Sequence, residues 1–298
     1  MQRIIYRGII AWILITVFSV PAMSAAQRPQ VVRQVLTQQK VVALTYDDGP
    51  DPRFTPALLG QLDKYGIKAT FFMIGQRMEM YPGLVQEVLR RGHVIGNHTY
   101  THPQNYQMGL PSEAAWEISV GVQTIERASR KPVTLFRPPR GFLTAPVLTL
   151  AEQNSLTTVL WSVSADNHLA KTPQQMADRV LKMVQPGGII LAHDGTFASR
   201  WKDVSATPLI IEGLTKRGYR FVTVPELLEI GRHERLMAQK KLSTKEQHNN
   251  TAKQSNLSAA ISEQPLLGTH KRDGQSSTSH STSKDLLTKR PVIRPKKV

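Results

Sequence analysis

The sequence predicts an α/β fold in which seven parallel strands, separated by helices, form a closed or nearly closed barrel. Short apolar runs rich in β-branched residues recur along the chain, and helical patterns with capping residues separate most of them. Polar residues follow several of these runs, where the strands are expected to end. With 298 residues, the chain is long enough to bury a sizeable core.

The strand predictions rest on apolar runs at residues 41–46, 69–74, 93–96, 133–136, 157–161, 188–192 and 219–224. Helix signals lie between most of them. Thr55 precedes Pro56 and Gly66 follows, Ser112 opens a long helix to about residue 129, and Thr172 caps another that ends near residue 187. Residues 209–214 form the last helical pattern. A doubly wound open sheet is the alternative, but no G-x-G-x-x-G follows the first strand, which disfavours a dinucleotide-binding fold.

The N-terminal residues 1–26 are predicted to be a secretory signal peptide. Arg3 and Arg7 form a positive region, the residues from Ile9 to Val20 are mostly apolar, and small residues follow Pro21. An uncleaved membrane anchor is the alternative, although the apolar run is shorter than the roughly 20 residues that span a bilayer. We therefore expect an exported protein, periplasmic or secreted, which would be membrane-anchored if the leader is retained.

The C-terminal residues 232–298 are predicted to be a disordered basic tail. They contain no aromatic residue, and their 14 Lys and Arg face 5 Asp and Glu. Such a segment buries too little apolar surface to offset the entropy of ordering it. An electrostatic contact with an anionic envelope or wall polymer is compatible with this interpretation. The chain carries a net charge of +16, much of it in the tail, and no nucleic-acid-binding motif is present.

The absence of cysteine limits the metal ligands and nucleophiles that the central residues 38–231 can supply. The sequence contains no cysteine, which excludes disulfides, thiolate-ligated zinc, iron–sulfur clusters and a thiol nucleophile. Thiolate ligands are therefore unavailable to a metal site in this chain.

Acidic residues and histidines follow two of the predicted strands. Asp47 and Asp48 end the first strand, and His98 and His102 follow the third at a spacing of four residues. Each motif alone is compatible with an ordinary surface turn. Two histidines and one carboxylate with open positions are typical of a catalytic metal site. The sequence therefore predicts such a site, with the carboxylate supplied by Asp47 or Asp48.

Two further strands end in residues suited to the same site. Arg137 and Arg140 lie in a loop stiffened by Pro138 and Pro139, and His193 closes a strongly apolar strand. A histidine in this position can act as an acid or a base near neutral pH. A loop without function and a core histidine are the simpler alternatives. Because the carboxyl ends of parallel strands meet at one face, we expect all of these groups to lie together.

Four motifs resemble those of the polysaccharide deacetylases, the NodB-homology or family 4 carbohydrate esterase group. They are T-Y-D-D-G-P at 45–50, G-N-H-T-Y-T-H-P at 96–103, F-R-P-P-R-G at 136–141 and I-I-L-A-H-D at 189–194. The resemblance covers about residues 38–231. It implies a distorted seven-stranded (β/α) barrel and removal of N-acetyl groups from a poly- or oligosaccharide that contains N-acetylglucosamine.

The resemblance also implies the metal site and the base. Asp48, His98 and His102 match the ligands of one divalent metal ion, usually zinc and sometimes cobalt or nickel. Asp47 matches the general base that takes a proton from the attacking water. The polymer is left open, with peptidoglycan, chitin-like oligomers, other N-acetylglucosamine polymers and acetylated xylan as candidates.

Five further positions match residues around the reacting group. His193 matches the general acid, Leu191 an apolar wall for the acetyl methyl group, and Trp161 a residue of the substrate pocket. Arg137 matches an arginine that pairs with the base. Arg140 occupies the position whose backbone N–H completes the oxyanion site.

The sequence departs from the family pattern in two places. Arg140 stands where an aromatic residue is usual, and the D-x-x-D-W motif is replaced by Ser164, Asn167 and His168 at its defined positions. The second Asp of that motif normally pairs with the acid histidine, and Asp166 replaces it if the loop shifts by one residue. A weakened acid would favour O-acetyl ester hydrolysis or a glycan-binding relative with little activity, and these are the alternative functions.

Overall fold

The computed structural model describes residues 31–166 and 170–262. The chain divides into two compact units, Met1–Lys241 and Leu242–Val298. The described part of the second unit, residues 242–262, is helical throughout. The predicted signal peptide and the residues after 262 lie outside the described part of the chain. Among the described residues, no helix is both long enough and apolar enough to cross a membrane.

Nine strands lie in the described part of the first unit. They are β1 Val31–Val32, β2 Val41–Asp47, β3 Thr70–Met73, β4 Val94–Asn97, β5 Leu135–Phe136, β6 Thr157–Val159, β7 Val163–Ser164, β8 Gly188–His193 and β9 Arg220–Val222. Each of the seven predicted runs contains a strand. β1 and β7 were not predicted as separate strands because two residues carry no alternation that a sequence pattern can reveal.

All nine strands belong to one parallel sheet. Their order is β1-β6-β5-β4-β3-β2-β8-β7, with β9 beside β2. Residues 157–164 contain both β6, which pairs with β5, and β7, which pairs with β8. Because this short stretch of chain pairs with strands on both sides of the sheet, the sheet curls as in a distorted barrel. The α/β class and the parallel arrangement are confirmed, with nine strands instead of seven.

Nine helices accompany the strands in the described residues. They are α1 Thr55–Lys64, α2 Gly75–Met80, α3 Pro82–Arg90, α4 Asn105–Met108, α5 Pro111–Ser129, α6 Ala145–Gln153, α7 Pro173–Met183, α8 Trp201–Lys216 and α9 Val224–Ser262. The Thr172 hydroxyl accepts the Gln175 N–H and so caps α7 as predicted. Helix α7 ends four residues before Gly187. Helix α8 begins well before residue 209 because Pro208 is accommodated inside it.

The core lies on both faces of the sheet. Every residue of β2 is buried, and its first four residues, 41–44, form a continuous apolar run. Phe71 and Phe72 are both fully buried although neighbouring residues of a strand point to opposite faces. They lie in two separate core clusters, one on each side of β3.

The folded body begins before residue 38. Val32 and Val35 are buried, and β1 pairs with β6. The Thr37 hydroxyl donates a hydrogen bond of 2.7 Å to Glu234, which lies in the third turn of helix α9. Residues on both sides of the predicted 38–231 domain therefore contribute to its packing.

The structure differs from the disorder predicted for the basic tail, because α9 continues through Ser262. Residues 232–262 contain neither glycine nor proline, and Lys, Ala, Gln and Leu account for 14 of these 31 residues. These residues have favourable or moderate helix propensities, which composition-based reasoning about burial does not consider. The predicted tail is therefore helical in its first part.

Candidate active site

The site lies where the central strands of the sheet end. Asp47 is the last residue of β2 and stands in register with His193, the last residue of β8. Asn97 ends β4 and Phe136 ends β5, and these two residues are also paired. The residues that follow each strand therefore meet at the same face. This confirms the expected convergence of the strand ends.

Asp48, His98 and His102 form one group of potential metal ligands. The Oδ1 atom of Asp48 lies 3.5 Å from Nε2 of His98 and 3.5 Å from Nε2 of His102. The two imidazole rings are 5.0 Å apart between centroids. His98 Nδ1 contacts the Arg137 carbonyl oxygen at 2.7 Å, which turns Nε2 toward Asp48.

The local backbone explains how these ligands converge. Asp48, Thr99 and His102 all have positive φ angles, between 62° and 74°, which non-glycine residues seldom adopt. The Thr99 N–H is held by the Asn97 side chain at 2.8 Å, and the His102 N–H by the Thr99 hydroxyl at 3.1 Å. Conformations of this kind cluster at active sites and ligand clamps, where the surrounding structure holds them.

The donor set fits a divalent metal ion. Asp48 Oδ1 is buried and has no hydrogen-bond partner among the described residues, although it faces two imidazole nitrogens. An unpartnered buried carboxylate oxygen is costly unless a cation binds it. Two imidazoles and one carboxylate are a known ligand set for zinc and other first-row transition metals, and they leave further positions open.

The electrostatics of the group also favour ligand binding. Burial, reinforced by the charge of His98, lowers the pKa of His102 to about 4. Burial raises the pKa of Asp48, but contact with His98 outweighs it and holds that pKa well below its usual range. At neutral pH, His102 is therefore neutral and Asp48 ionised, the forms that bind metal ions.

Asp47 forms a buried ion pair with Arg137. Arg137 Nη1 lies 2.7 Å from Asp47 Oδ1, and the arginine side chain is completely buried. The same guanidinium donates to the carbonyls of Val159 and Leu160, each at 3.0 Å, and to the Thr45 hydroxyl at 2.9 Å. With this many fixed contacts, Arg137 holds the Asp47 carboxylate in one orientation.

His193 lies beside two carboxylates. Its Nδ1 is 3.2 Å from Asp166 Oδ2, an ion-pair contact outside hydrogen-bond geometry, and 3.9 Å from Asp203 Oδ1. The His193 backbone N–H also donates to Asp203 at 3.1 Å. Burial lowers the pKa of His193, but the contact with Asp166 outweighs it and raises that pKa above its usual value.

Asp166 thus lies beside His193, in the position that it would occupy if its loop were shifted by one residue relative to the family motif. Burial raises the pKa of Asp166, but contact with His193 and the charge of Arg200 outweigh it and keep that pKa well below its usual range. The carboxylate therefore stays ionised beside the histidine. Asn167, the other residue predicted near His193, lies outside the described residues.

One cavity of about 370 Å³ connects these groups. Its lining includes eight of the predicted site residues, namely Asp47, Asp48, His98, His102, Arg140, Trp161, Leu191 and His193. Arg137 and Asp166 lie behind this lining and contact Asp47 and His193. Arg140 has a φ angle of 56°, and its guanidinium donates to the Pro103 carbonyl at 2.8 Å.

Four residues near the site were missed by the sequence reasoning. Thr196, Phe197 and Arg200 line the cavity, and Asp203 is buried beside His193. Arg200 Nη1 contacts Asp166 Oδ2 at 2.6 Å, and its Nη2 lies 3.5 Å from Asp48 Oδ2. All four follow β8, and the available signal was their position just after a strand that carries a candidate acid.

Burial, together with the charge of Asp166, raises the pKa of Asp203 to about 7. This carboxyl group lies near a histidine whose pKa is raised. The cluster beside the cavity therefore contains a carboxyl group, Asp203, that can change protonation close to neutral pH.

The fold and the site together define a class of protein. Proteins of this class have an α/β fold with a curled parallel sheet. The ends of their strands bring together three groups: an Asp–His–His set of potential metal ligands, a carboxylate paired with an arginine, and a histidine paired with a carboxylate. The sequence profile described as polysaccharide deacetylase matches residues 34–159.

The curated relatives agree with this class. A peptidoglycan-N-acetylglucosamine deacetylase of Bacillus cereus is 41% identical over 201 residues, covering 66% of this chain and 92% of the relative. The chain belongs to the polysaccharide deacetylase family, and it is an enzyme that hydrolyses amide bonds other than peptide bonds.

The solved structures share the fold. A peptidoglycan N-acetylglucosamine deacetylase in complex with 4-naphthalen-1-yl-N-oxidanyl-benzamide has a TM-score of 0.63 and 33% identity, covering 66% of this chain and 92% of that one. A CE4 family pseudoenzyme from Bacillus anthracis has a TM-score of 0.62 and 26% identity, covering 68% and 70%. Because one fold serves both, the catalytic role of each residue must be argued from the site.

Proposed function

We propose that this protein removes N-acetyl groups from an N-acetylglucosamine-containing poly- or oligosaccharide in a metal-dependent reaction. One observation carries the proposal. A single cavity brings together the Asp48–His98–His102 group, the Asp47 carboxylate and the His193 ring. A base and an acid on the same cavity as a ligand group are what amide hydrolysis requires.

The metal would be held by Asp48, His98 and His102, with zinc as the proposed ion and cobalt or nickel as substitutes. When bound, a divalent ion supplies a Lewis acid that lowers the pKa of water and polarises a carbonyl oxygen. The Arg140 backbone N–H is proposed to donate to the oxygen on which negative charge develops.

Asp47 is proposed as the general base. It accepts a proton from the water whose oxygen bonds to the acetamide carbonyl carbon. Arg137 keeps the carboxylate oriented, because its guanidinium donates a charge-assisted hydrogen bond to it at 2.7 Å. Arg137 is therefore a positioning residue, since its contacts lie behind the cavity.

His193 is proposed as the general acid. The carbon–nitrogen bond of the substrate breaks as a protonated His193 donates its proton to the departing nitrogen, which yields acetate and a free amine. An amide nitrogen is a poor leaving group until it is protonated. Asp166 favours the protonated form, so a carboxylate lies beside the acid although the D-x-x-D-W motif is replaced.

The apolar residues of the cavity suit an acetyl substituent. Leu191 is 4% exposed and lines the cavity beside the proposed acid, two residues along the same strand. We propose that it contacts the acetyl methyl group and that Trp161 forms part of the sugar pocket. A wall formed by Leu191 would select for a short acyl chain.

The leader and the tail belong to the same proposal. Residues 1–26 would direct export to the periplasm or beyond, where acetylated envelope polymers occur. The excess of Lys and Arg in residues 232–298 would favour contact with an anionic envelope or wall polymer. No nucleic-acid partner is proposed.

The function is tested by acetate release from N-acetylglucosamine oligomers, with zinc and with a chelator. We expect release with zinc, and little release with the chelator. A parallel assay with an O-acetylated sugar separates the alternatives, because an ester needs less help from an acid. Faster release from the ester than from the amide would replace the proposal by O-acetyl esterase activity. Zinc binding without release from either would point to a glycan-binding relative.

A further inference from the structure

The aromatic ring of Phe197 lies at the catalytic cavity and is largely open to solvent. Phe197 lines the cavity that also contains Asp47, His98 and His193. Its side chain is 58% exposed. Single exposed apolar side chains are common on protein surfaces. An exposed aromatic ring on the wall of a polar cavity is a stronger indication of a binding role, because a ligand that enters the cavity can contact the ring.

The segment that carries this ring is fixed in place. The Phe197 N–H donates to the Gly195 carbonyl at 3.0 Å, and the Arg200 N–H donates to the Phe197 carbonyl at 3.0 Å. Gly195 packs so closely that a Cβ atom there would lie 2.1 Å from the Asp48 carbonyl oxygen. The preceding residue, Thr196, adopts a φ angle of 73°. The backbone that carries the Phe197 ring therefore packs directly against the backbone of Asp48, a proposed metal ligand.

Arg200 connects the ring to the proposed acid. Its guanidinium carbon lies 5.6 Å from the centroid of the Phe197 ring, in a cation–π arrangement. The same guanidinium contacts Asp166 at 2.6 Å, and Asp166 contacts His193 at 3.2 Å. A chain of contacts thus sets the position of the ring relative to the group that protonates the leaving nitrogen.

We infer that Phe197 is a sugar-stacking surface and a specificity-determining residue of this site. The inference rests on the proposed function. One face of a pyranose ring presents C–H groups, and an aromatic face with its negative π-density attracts them. A sugar stacked on Phe197 is held at a fixed distance from His193 and Asp47. The residue acts on substrate binding and takes no part in proton transfer.

The test measures kcat and KM of the full-length zinc enzyme with an N-acetylglucosamine tetramer. Phe197→Ala and Phe197→Leu are expected to raise KM about tenfold with little change in kcat, the amount that one modest aromatic contact supplies. Phe197→Tyr keeps the ring and is expected to restore the wild-type KM. Trp201→Ala is the matched control, since Trp201 is 52% exposed and does not line the cavity. An unchanged KM in Phe197→Ala, or an equal loss in Trp201→Ala, would overturn the inference.

A binding measurement separates this inference from the proposed function. Calorimetric titration with the same tetramer compares Asp47→Asn with the double variant Asp47→Asn/Phe197→Ala. Weaker binding by the double variant supports stacking even if the wild-type chain releases no acetate, in which case only the proposed function fails. Equal binding by the two variants rejects stacking while leaving acetate release by the wild type unaffected.

Discussion

The buried arginine at the base offers a quantitative test of how the site is held together. Arg137→Met removes a charge that pairs with Asp47 at 2.7 Å in a completely buried environment. It also removes the donors to the carbonyls of Val159 and Leu160 and to the Thr45 hydroxyl. Breaking a buried pair by deleting one partner costs about 3–5 kcal/mol, because the other charge is left uncompensated.

That cost translates into a large change in thermal stability. For a domain of this size, each kcal/mol shifts Tm by roughly 2–4 °C, so we expect Tm to fall by about 6–20 °C. The measurement is thermal unfolding followed by circular dichroism, with a chelator present so that metal binding does not contribute.

The matched control is Arg53→Met, the same substitution at an arginine that is 52% exposed. Its partner Asp51 is buried but also contacts Arg77 at 2.7 Å, so the Asp51 carboxylate keeps a cationic partner in the variant. The expected loss is therefore small, since exposed charges contribute about 0–1 kcal/mol. The double variant Asp47→Asn/Arg137→Met should regain part of the lost stability without regaining activity. If Arg137→Met lowers Tm no more than Arg53→Met, the argument that Arg137 holds the base is refuted.

Three further predictions concern the other parts of the site. His98→Ala should abolish tight zinc binding and acetate release together, and retention of wild-type zinc affinity in a competition titration would contradict the ligand assignment. Asp166→Asn removes the carboxylate that raises the pKa of His193, while burial continues to lower that pKa. The alkaline limb of the kcat/KM profile should therefore move to lower pH, and an unchanged limb would argue against His193 as the acid. Gly195→Ala should weaken zinc binding because its Cβ would displace the adjoining backbone, whereas Gly60→Ala, which meets no atom within 4 Å, should add about 0.5–1 kcal/mol to stability.

The sequence predicted the strands well because this sheet is buried on both faces. Strands β2 and β8 therefore begin as apolar runs, and the ionisable residue that ends each strand marks the face where the site lies. Asp47 and His193 were identified in this way. The two-residue strands β1 and β7 could not be predicted from the sequence, since they are defined by their pairing with neighbouring strands.

The contacts after β8 show what sequence reasoning could not reach. Arg200 and Asp203 approach Asp166 across 34 or more positions of sequence, through loops whose path no local pattern specifies. Their roles depend on tertiary geometry alone. The replacement of the usual carboxylate by Asp166 was raised as an alternative from sequence, and the structure shows the contact at 3.2 Å that this alternative requires.

The helix in residues 232–262 has a different origin. The prediction of disorder considered burial and charge, and in residues 232–251 every side chain except that of Glu234 is exposed. A helix without glycine or proline can form through intrinsic propensity, although isolated helices gain little stability without packing. Circular dichroism of the full chain and of a chain ending at Lys241 would measure how much helix this segment contributes.

The most direct test of the account is the ratio of acetate release by the wild-type chain and by Asp47→Asn at equal zinc content. Asp47 lies on the cavity without belonging to the ligand group, so the substitution removes the proposed base while keeping the three proposed ligands. The account predicts a loss of at least about a hundredfold with N-acetylglucosamine oligomers, the usual contribution of a general base. Equal rates for the two proteins would contradict it.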